Sequence, residues 1–225
     1  METKGKTAII LGATGLVGSV LLQCLLHDGR YQKIILFSRT SVGIQDSKLD
    51  EVLCDVLALE AQLDKFWADE VFCCIGTTKA KTPDKVLYKK IDYGIPVAAA
   101  KLCSLNQIHT FIVVSALGAD ASSAIFYNRI KGEMERMVQQ FNIPKIHMVQ
   151  PSIIGGDRNE QRPGEFFFKK LMSFFGFLLV GPFKKYRVIH PDSIAKAMVW
   201  LANNTYTNQR IASDTLKELA VHGTS

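Results

Sequence analysis

The sequence predicts a doubly wound α/β fold, a parallel sheet with helices on both faces, in one domain over 1–225 with a small extension at about 155–187. Short apolar runs alternate with helix-length stretches, as expected of parallel strands buried on both sides by crossover helices. A glycine-rich turn joins the first apolar run to the first helix. The chain of 225 residues, 48% hydrophobic and 21% charged, suits one well-packed core and excludes disorder, collagen-like repeats and a coiled coil.

The elements follow in order. Strands are expected over 7–11, 33–38, 51–54, 71–75, 110–114 and 145–150, because each is a short run of β-branched, aromatic or other apolar residues bounded by turn formers. Helices are expected over 15–28, 83–105, 122–141, 164–177 and 191–203. Pro191 suits a first helical position and Asp192 a first turn. The polar stretch 155–164, after the sixth strand, reads as a working loop on the substrate side.

The turn is Gly12-Ala13-Thr14-Gly15-Leu16-Val17-Gly18. Glycines there allow a tight bend, close backbone approach to a pyrophosphate and close helix–strand packing, and the helix N-terminus adds aimed N–H groups. Gly12, Thr14, Gly15, Leu16, Val17 and Gly18 are therefore candidate dinucleotide contacts, and the architecture is Rossmann-like. The spacing resembles that of extended and atypical short-chain dehydrogenase/reductases.

At the end of the second strand, Ser38 and Arg39 stand where an NAD site usually has an acid for the adenosine ribose, and no acid lies between Lys33 and Gln45. Ser38 can donate a hydrogen bond and Arg39 can fork onto phosphate oxygens, so NADP(H) is expected in preference to NAD(H). The resemblance implies further cofactor contacts at Asp55 and Val56 after the third strand, and at Gly76, Thr77 and Thr78 after the fourth.

Tyr127 and Lys131 form a Tyr-x-x-x-Lys pair within the stripe drawn by Ile130, Met134, Val138 and Phe141. A lysine on an inward stripe needs a partner, because a buried ammonium is costly. Ser115 closes the fifth strand twelve residues before Tyr127, where the family carries its catalytic serine. In the mechanism that the resemblance implies, Ser115 holds a substrate carbonyl and Tyr127 gives it a proton. Lys131 lowers the phenol from its usual pKa of about 10 and holds the nicotinamide ribose.

Further stretches narrow the likeness to the atypical members of the HIV Tat-interactive oxidoreductase-like group: Ser-Ala-Leu-Gly-Ala at 115–119, Tyr-Asn-Arg-Ile-Lys-Gly-Glu-Met-Glu at 127–135 and Asp-Arg-Asn-Glu-Gln-Arg-Pro-Gly-Glu at 157–165. The likeness covers about 6–202 and implies cofactor contacts at Tyr127, Lys131, Pro151 and Ile153. The departure is Gln150-Pro151-Ser152, where the family more often has Arg-Pro-Gly.

The implied activity is NADPH-dependent hydride transfer to or from a small carbonyl or alcohol; the alternative is a non-catalytic protein that senses NADPH and changes partners. Phe166, Phe167, Phe168, Phe174, Phe175 and Phe177 favour an apolar substrate if they line the cleft, and the same segment is compatible with a dimer patch or peripheral membrane contact. Monomer and homodimer both stay open. The charge of +6, from 27 basic and 21 acidic residues, fits a bound phosphate or anion. Lys79, Lys81, Lys85, Lys89 and Lys90 lack an interleaved aromatic platform, so nucleic acid is not expected. His190 has no second ligand at metal spacing, and no metal is expected. Five cysteines without a C-x-x-C pair read as reduced core residues, and the first strand starts too early for a secretory leader, so a cytoplasmic protein is expected.

Overall fold

The computed structural model describes residues 5–155 and 186–222. Its sheet contains β1 (Lys6–Leu11), β2 (Tyr31–Ser38), β3 (Leu49–Leu53), β4 (Glu70–Cys73), β5 (Thr110–Val114), β6 (Lys145–Gln150) and β7 (Arg210–Ala212). The strand order is β3-β2-β1-β4-β5-β6-β7, and every pairing is parallel. The fold is thus Rossmann-like α/β, as the alternation of runs predicts. Strand order reverses direction between β1 and β4, and that seam is where a crevice opens at the carboxyl edge of such sheets.

Alternation along each strand divides the core. Ala8, Ile10, Leu36, Phe72 and Ile112 pack on one face against α1 (Leu16–His27), α5 (Pro191–Asn203) and α6 (Ser213–His222). Ile9, Leu11, Phe37, Val71, Phe111 and Val113 pack on the other against α3 (Ile95–Leu105) and α4 (Phe126–Val138). Cys73 and Cys103 are buried on this second face, and burial pushes the Cys73 thiol up to about 11, in keeping with inert core thiols.

Three differences from the sequence reading have local causes. The stretch expected as one helix over 83–105 is α2 (Lys85–Lys89), a π-turn (Lys90–Gly94) and then α3. Pro96 has no N–H to give a carbonyl four residues back, and its ring crowds that carbonyl. A widened turn, in which the Ile95 N–H reaches the Lys90 carbonyl, accommodates both. The helix expected from 122 starts at Phe126, because Asp120 accepts from Ser122 N (2.8 Å) and Ser123 Oγ accepts from Ile125 N (3.1 Å), holding the chain in turns. Thirdly, β7 and α6 were not expected, nor was the 3₁₀ segment Val56–Lys65. The helix expected over 164–177 and most of 155–187 lie outside the described residues.

His147 on β6 is buried, and its Nδ1–H donates to the Asn208 carbonyl at 3.0 Å. Nε2 meets no acceptor among the described residues. Burial foremost, and then Lys145, depress its pKa despite the carbonyl bond. A depressed folded-state value means that the unfolded chain binds the proton more readily. The contribution is whole above the unfolded pKa of about 6.5 and is lost as pH falls towards the lower folded value. Urea titrations should show wild type losing stability below pH 6.5 faster than His147→Gln, with an added slope of up to about 1.4 kcal/mol per pH unit. Parallel curves would rule the effect out.

Candidate functional site

The glycine turn begins where β1 ends. Gly12 has φ +85°, and a Cβ there would lie 3.0 Å from the Cys74 carbonyl carbon and oxygen at the end of β4. Only glycine meets both demands. A Cβ on Gly18 would fall 2.1 Å from the Gly12 oxygen, so this residue lets α1 pack onto the turn. Gly15 N-caps α1 and donates to Gly12 O at 2.9 Å, and among the described residues no side chain caps the helix. Thr14 is exposed at the crest.

A cavity of about 1110 Å³ opens beside this turn. Gly15, Leu16 and Val17 form one wall; Cys74, Ile75, Gly76, Thr77 and Thr78 extend from β4; and Val114 and Ser115 close the end of β5. Tyr127 and Lys131 from α4, with Pro151 and Ile153 after β6, complete the expected members of the wall. Ser38, Arg39, Asp55 and Val56 are not among the cavity's lining residues; Ser38 ends β2, Arg39 follows it, and Asp55 and Val56 come after β3, on the other side of β1. Ser38 is buried, with its hydroxyl donated to the Thr40 carbonyl at 2.8 Å, whereas Arg39 is exposed. Asp55 caps the 3₁₀ segment by accepting from Leu57 N, and Val56 is buried beneath it.

Lys131 is 3% exposed. Its Nζ pairs with Asp92 Oδ1 at 3.0 Å and donates to the Val114 carbonyl at 3.2 Å. Burial alone would lower its pKa, but Asp92 first and Tyr127 second outweigh that, leaving it above the ordinary lysine value. Lys131 is therefore an ammonium at neutral pH. Asp92 is itself fully buried, and its second oxygen accepts from Thr77 N at 2.7 Å, tying the ammonium to the loop after β4. Sequence reasoning missed Asp92. Its signal was an acid flanked by Ile91 and Tyr93 in an otherwise apolar helical stretch.

Tyr127 departs from the expected inward stripe, being 40% exposed. It lies in the first turn of α4, which projects past the packed stripe to the cavity wall. The helix is held close at the next level by Gly132, where a Cβ would lie 2.2 Å from Ala121 N.

Ser115 reaches the wall, but its hydroxyl donates to Glu135 Oε1 at 2.5 Å. Glu135 is fully buried; Oε1 also accepts from Gln150 Nε2 at 2.8 Å, and Oε2 from Arg210 Nε at 2.7 Å. Gln150, the departure noted above, is thus bound to the same carboxylate as Arg210 from β7. Glu135 was legible as an acid four residues beyond Lys131 on the buried face. Arg210 was not, because a three-residue strand shows no period. At the mouth, Lys79 and Lys85 line the cavity, with Lys85 Nζ 5.7 Å from the Phe126 ring centre, while Lys89 pairs with Glu133 at 2.7 Å.

Comparison with known proteins gives a coherent set. Residues 8–123 match the model of the NAD dependent epimerase/dehydratase family. The chain is 31% identical over 182 residues to Protein HTATIP2 of Rattus norvegicus, covering 79% of this chain and 73% of that protein. It is 31% identical over 207 residues to the mitochondrial Protein FMP52 of Debaryomyces hansenii, covering 89% of each. The solved enzyme WbmG of Bordetella bronchiseptica in complex with NAD superimposes with a TM-score of 0.58 at 18% identity. That match covers 77% of this chain and 61% of WbmG, so the chain spans about three fifths of that enzyme. One expectation is corrected. The cytoplasmic address does not stand against relatives that are named mitochondrial, in D. hansenii and in further FMP52 proteins. Reduced core cysteines report a redox environment, which more than one compartment supplies. Among the described residues, no helix is long and apolar enough to cross a membrane.

Proposed function

The chain belongs to the NAD dependent epimerase/dehydratase family, and from that premise we propose that it is an NADPH-dependent oxidoreductase of the atypical short-chain dehydrogenase type acting on a small carbonyl or alcohol. The observation that carries this reading is Lys131, an ammonium buried against Asp92 on the cavity wall and near enough to Tyr127, on the same wall, for the two to interact electrostatically. A buried ammonium beside a phenol on a cavity wall is the arrangement an acid/base site uses.

The residues present fit a dinucleotide. The turn at Gly12 and Gly18 would be filled by any Cβ, and the uncapped start of α1 presents N–H groups suited to a diphosphate. Gly15, Leu16 and Val17 would hold that diphosphate. Asp55 and Val56 would meet the adenine, Gly76, Thr77 and Thr78 the middle of the molecule, and Tyr127, Lys131, Pro151 and Ile153 the nicotinamide half. When bound, the cofactor supplies or accepts the hydride. Tyr127 holds the proton at its phenol oxygen and delivers it to the substrate oxygen, or takes it back in the reverse direction. Lys131 favours the phenolate that results, and Asp92 keeps Lys131 charged and in place.

The preference for NADP(H) rests on Arg39. With the Ser38 hydroxyl committed to Thr40, the guanidinium is the group left to meet a 2′-phosphate, and no acid lies between Arg39 and Gln45 in the sequence. Calorimetry with NADPH and NADH tests both levels. NADPH should bind more tightly, and Arg39→Ala should weaken it by about 10- to 100-fold with little change for NADH. Absence of heat with either coenzyme would overturn the whole reading; equal loss for both would overturn only the preference.

A further inference from the structure

We propose that the cavity selects carbonyl compounds in which an apolar body separates the reacting group from a carboxylate, and that Lys79 and Lys85 receive that carboxylate at the mouth. The inference rests on the oxidoreductase reading above and deepens it by naming a substrate class. Among the described residues, the charged members of the cavity wall are three lysines and one aspartate. Asp92 is spent on Lys131 at 3.0 Å, which leaves Lys79 and Lys85 as an uncompensated positive pair on a lining that holds no second acid.

Neither ammonium has a carboxylate within ion-pair distance among the described residues, whereas the nearby Lys89 pairs with Glu133 at 2.7 Å. Asp84, the acid next to Lys85 in the chain, accepts from Leu87 N at 2.8 Å as the N-cap of α2 and does not line the cavity. Both lysines are nevertheless placed by their surroundings. Lys85 Nζ lies 5.7 Å from the ring centre of Phe126, the residue before Tyr127. The loop that carries Lys79 is tied at both ends: the Thr77 and Thr82 hydroxyls bond at 2.8 Å, Thr82 N donates to the Thr78 carbonyl at 2.8 Å, and Thr77 N donates to Asp92 at 2.7 Å. The carboxylate that holds the Lys131 ammonium therefore also anchors the loop bearing Lys79.

The rest of the wall fits an apolar body. Ile125 is 63% exposed and Tyr127 40%, both at the start of α4, and Phe126, Leu117, Ile153 and Ile154 stand on the same lining. An exposed isoleucine on a cavity wall gains from a ligand that covers it. A wholly apolar ligand would leave the two ammoniums unanswered. A carboxylate matches them as point charges, and no arginine among the lining residues offers the fork that favours a phosphate. In the reaction, the carbonyl carbon takes the hydride that the coenzyme supplies and the carbonyl oxygen takes the Tyr127 proton, giving the alcohol, while the distant carboxylate is unchanged.

Reduction of 4-formylbenzoate and of its methyl ester, which differ by one charge at the far side of the same ring, tests the selection in wild type and in the double variant Lys79→Gln, Lys85→Gln. Both lysines are exposed, so glutamine leaves the core intact. Wild type should prefer the acid by about 10-fold or more in kcat/KM, through KM, and should lose most of that preference in about 0.5 M salt or in the double variant. An acid-to-ester ratio near one in wild type, or a ratio that survives in the double variant, would overturn the proposal. So would a loss of NADPH affinity as large as the loss of the ratio, because the lysines would then serve the phosphates of the coenzyme. A second arm needs no turnover. Saturation-transfer NMR on the coenzyme-free protein with 4-methylbenzoate, which has no aldehyde to reduce, should show contact in wild type and none in the double variant. Equal transfer in the two proteins, or none in wild type, would overturn the anion site. Lysine-dependent transfer in a protein that reduces neither aldehyde would keep that site and overturn the oxidoreductase reading on which the substrate class rests.

Discussion

Replacing Asp92 by alanine is expected to destabilise the protein by about 3–5 kcal/mol, because it leaves the Lys131 ammonium buried without a counter-charge. The pair stands 3.0 Å apart with 3% and 1% of the two side chains exposed, so the ammonium has little contact with solvent to set against loss of the carboxylate. Alanine also strips the Thr77 N–H of its acceptor in the loop after β4. Asp92→Asn is the milder change. Its amide oxygen can still accept from Thr77, and the remaining loss isolates the charge. Urea unfolding followed by tryptophan fluorescence should order the proteins as wild type, Asn, Ala, with the larger step for alanine. An alanine midpoint equal to that of wild type would mean that Lys131 is not charged in the folded state.

The second large effect is on turnover. Tyr127→Phe removes the phenol oxygen and keeps the ring, so coenzyme affinity should change little while the rate of carbonyl reduction falls by about 10²- to 10⁴-fold. Lys131 stays an ammonium well past neutrality, because Asp92 and Tyr127 more than offset its burial. Through the neutral range, therefore, the lysine should contribute no titration to wild-type turnover. NADPH consumption with 9,10-phenanthrenequinone as a general carbonyl probe, measured beside NADPH binding, separates the two functions. A phenylalanine variant that turns over at the wild-type rate would remove Tyr127 from the chemistry.

The reading of the sequence reached the fold because the signals that set it are repeated. Each strand is an apolar run with its neighbours at helical distance, and Gly12 and Gly18 mark the seam where backbone must touch backbone. It reached Lys131 because an inward charge breaks the period around it. What it missed was the other half of each polar bond. Asp92 lies in a π-turn that Pro96 helps to impose, and a 3.6-residue pattern cannot place a side chain on a widened turn. Arg210 comes from a strand too short to have a pattern and reaches Glu135 across 75 residues of chain. Tyr127 was assigned the right neighbour but the wrong depth, since periodicity gives the face of a helix and not how far its end protrudes.

The order in which the strands lie has a consequence for how the molecule is made. β1, the earliest strand of this sheet in chain order, is flanked by β2 and by β4, and the cavity beside its glycine turn takes the residues after β4 as part of its wall. A nascent chain ending after β3 already displays the glycine bend, yet it offers a nucleotide one bank of a channel. The second bank arrives when residues from 70 onward return to lie alongside β1, and Asp92, Tyr127 and Lys131 come later still in the chain. Affinity for the proposed coenzyme would thus be a property of the finished sheet and not of its amino-terminal half.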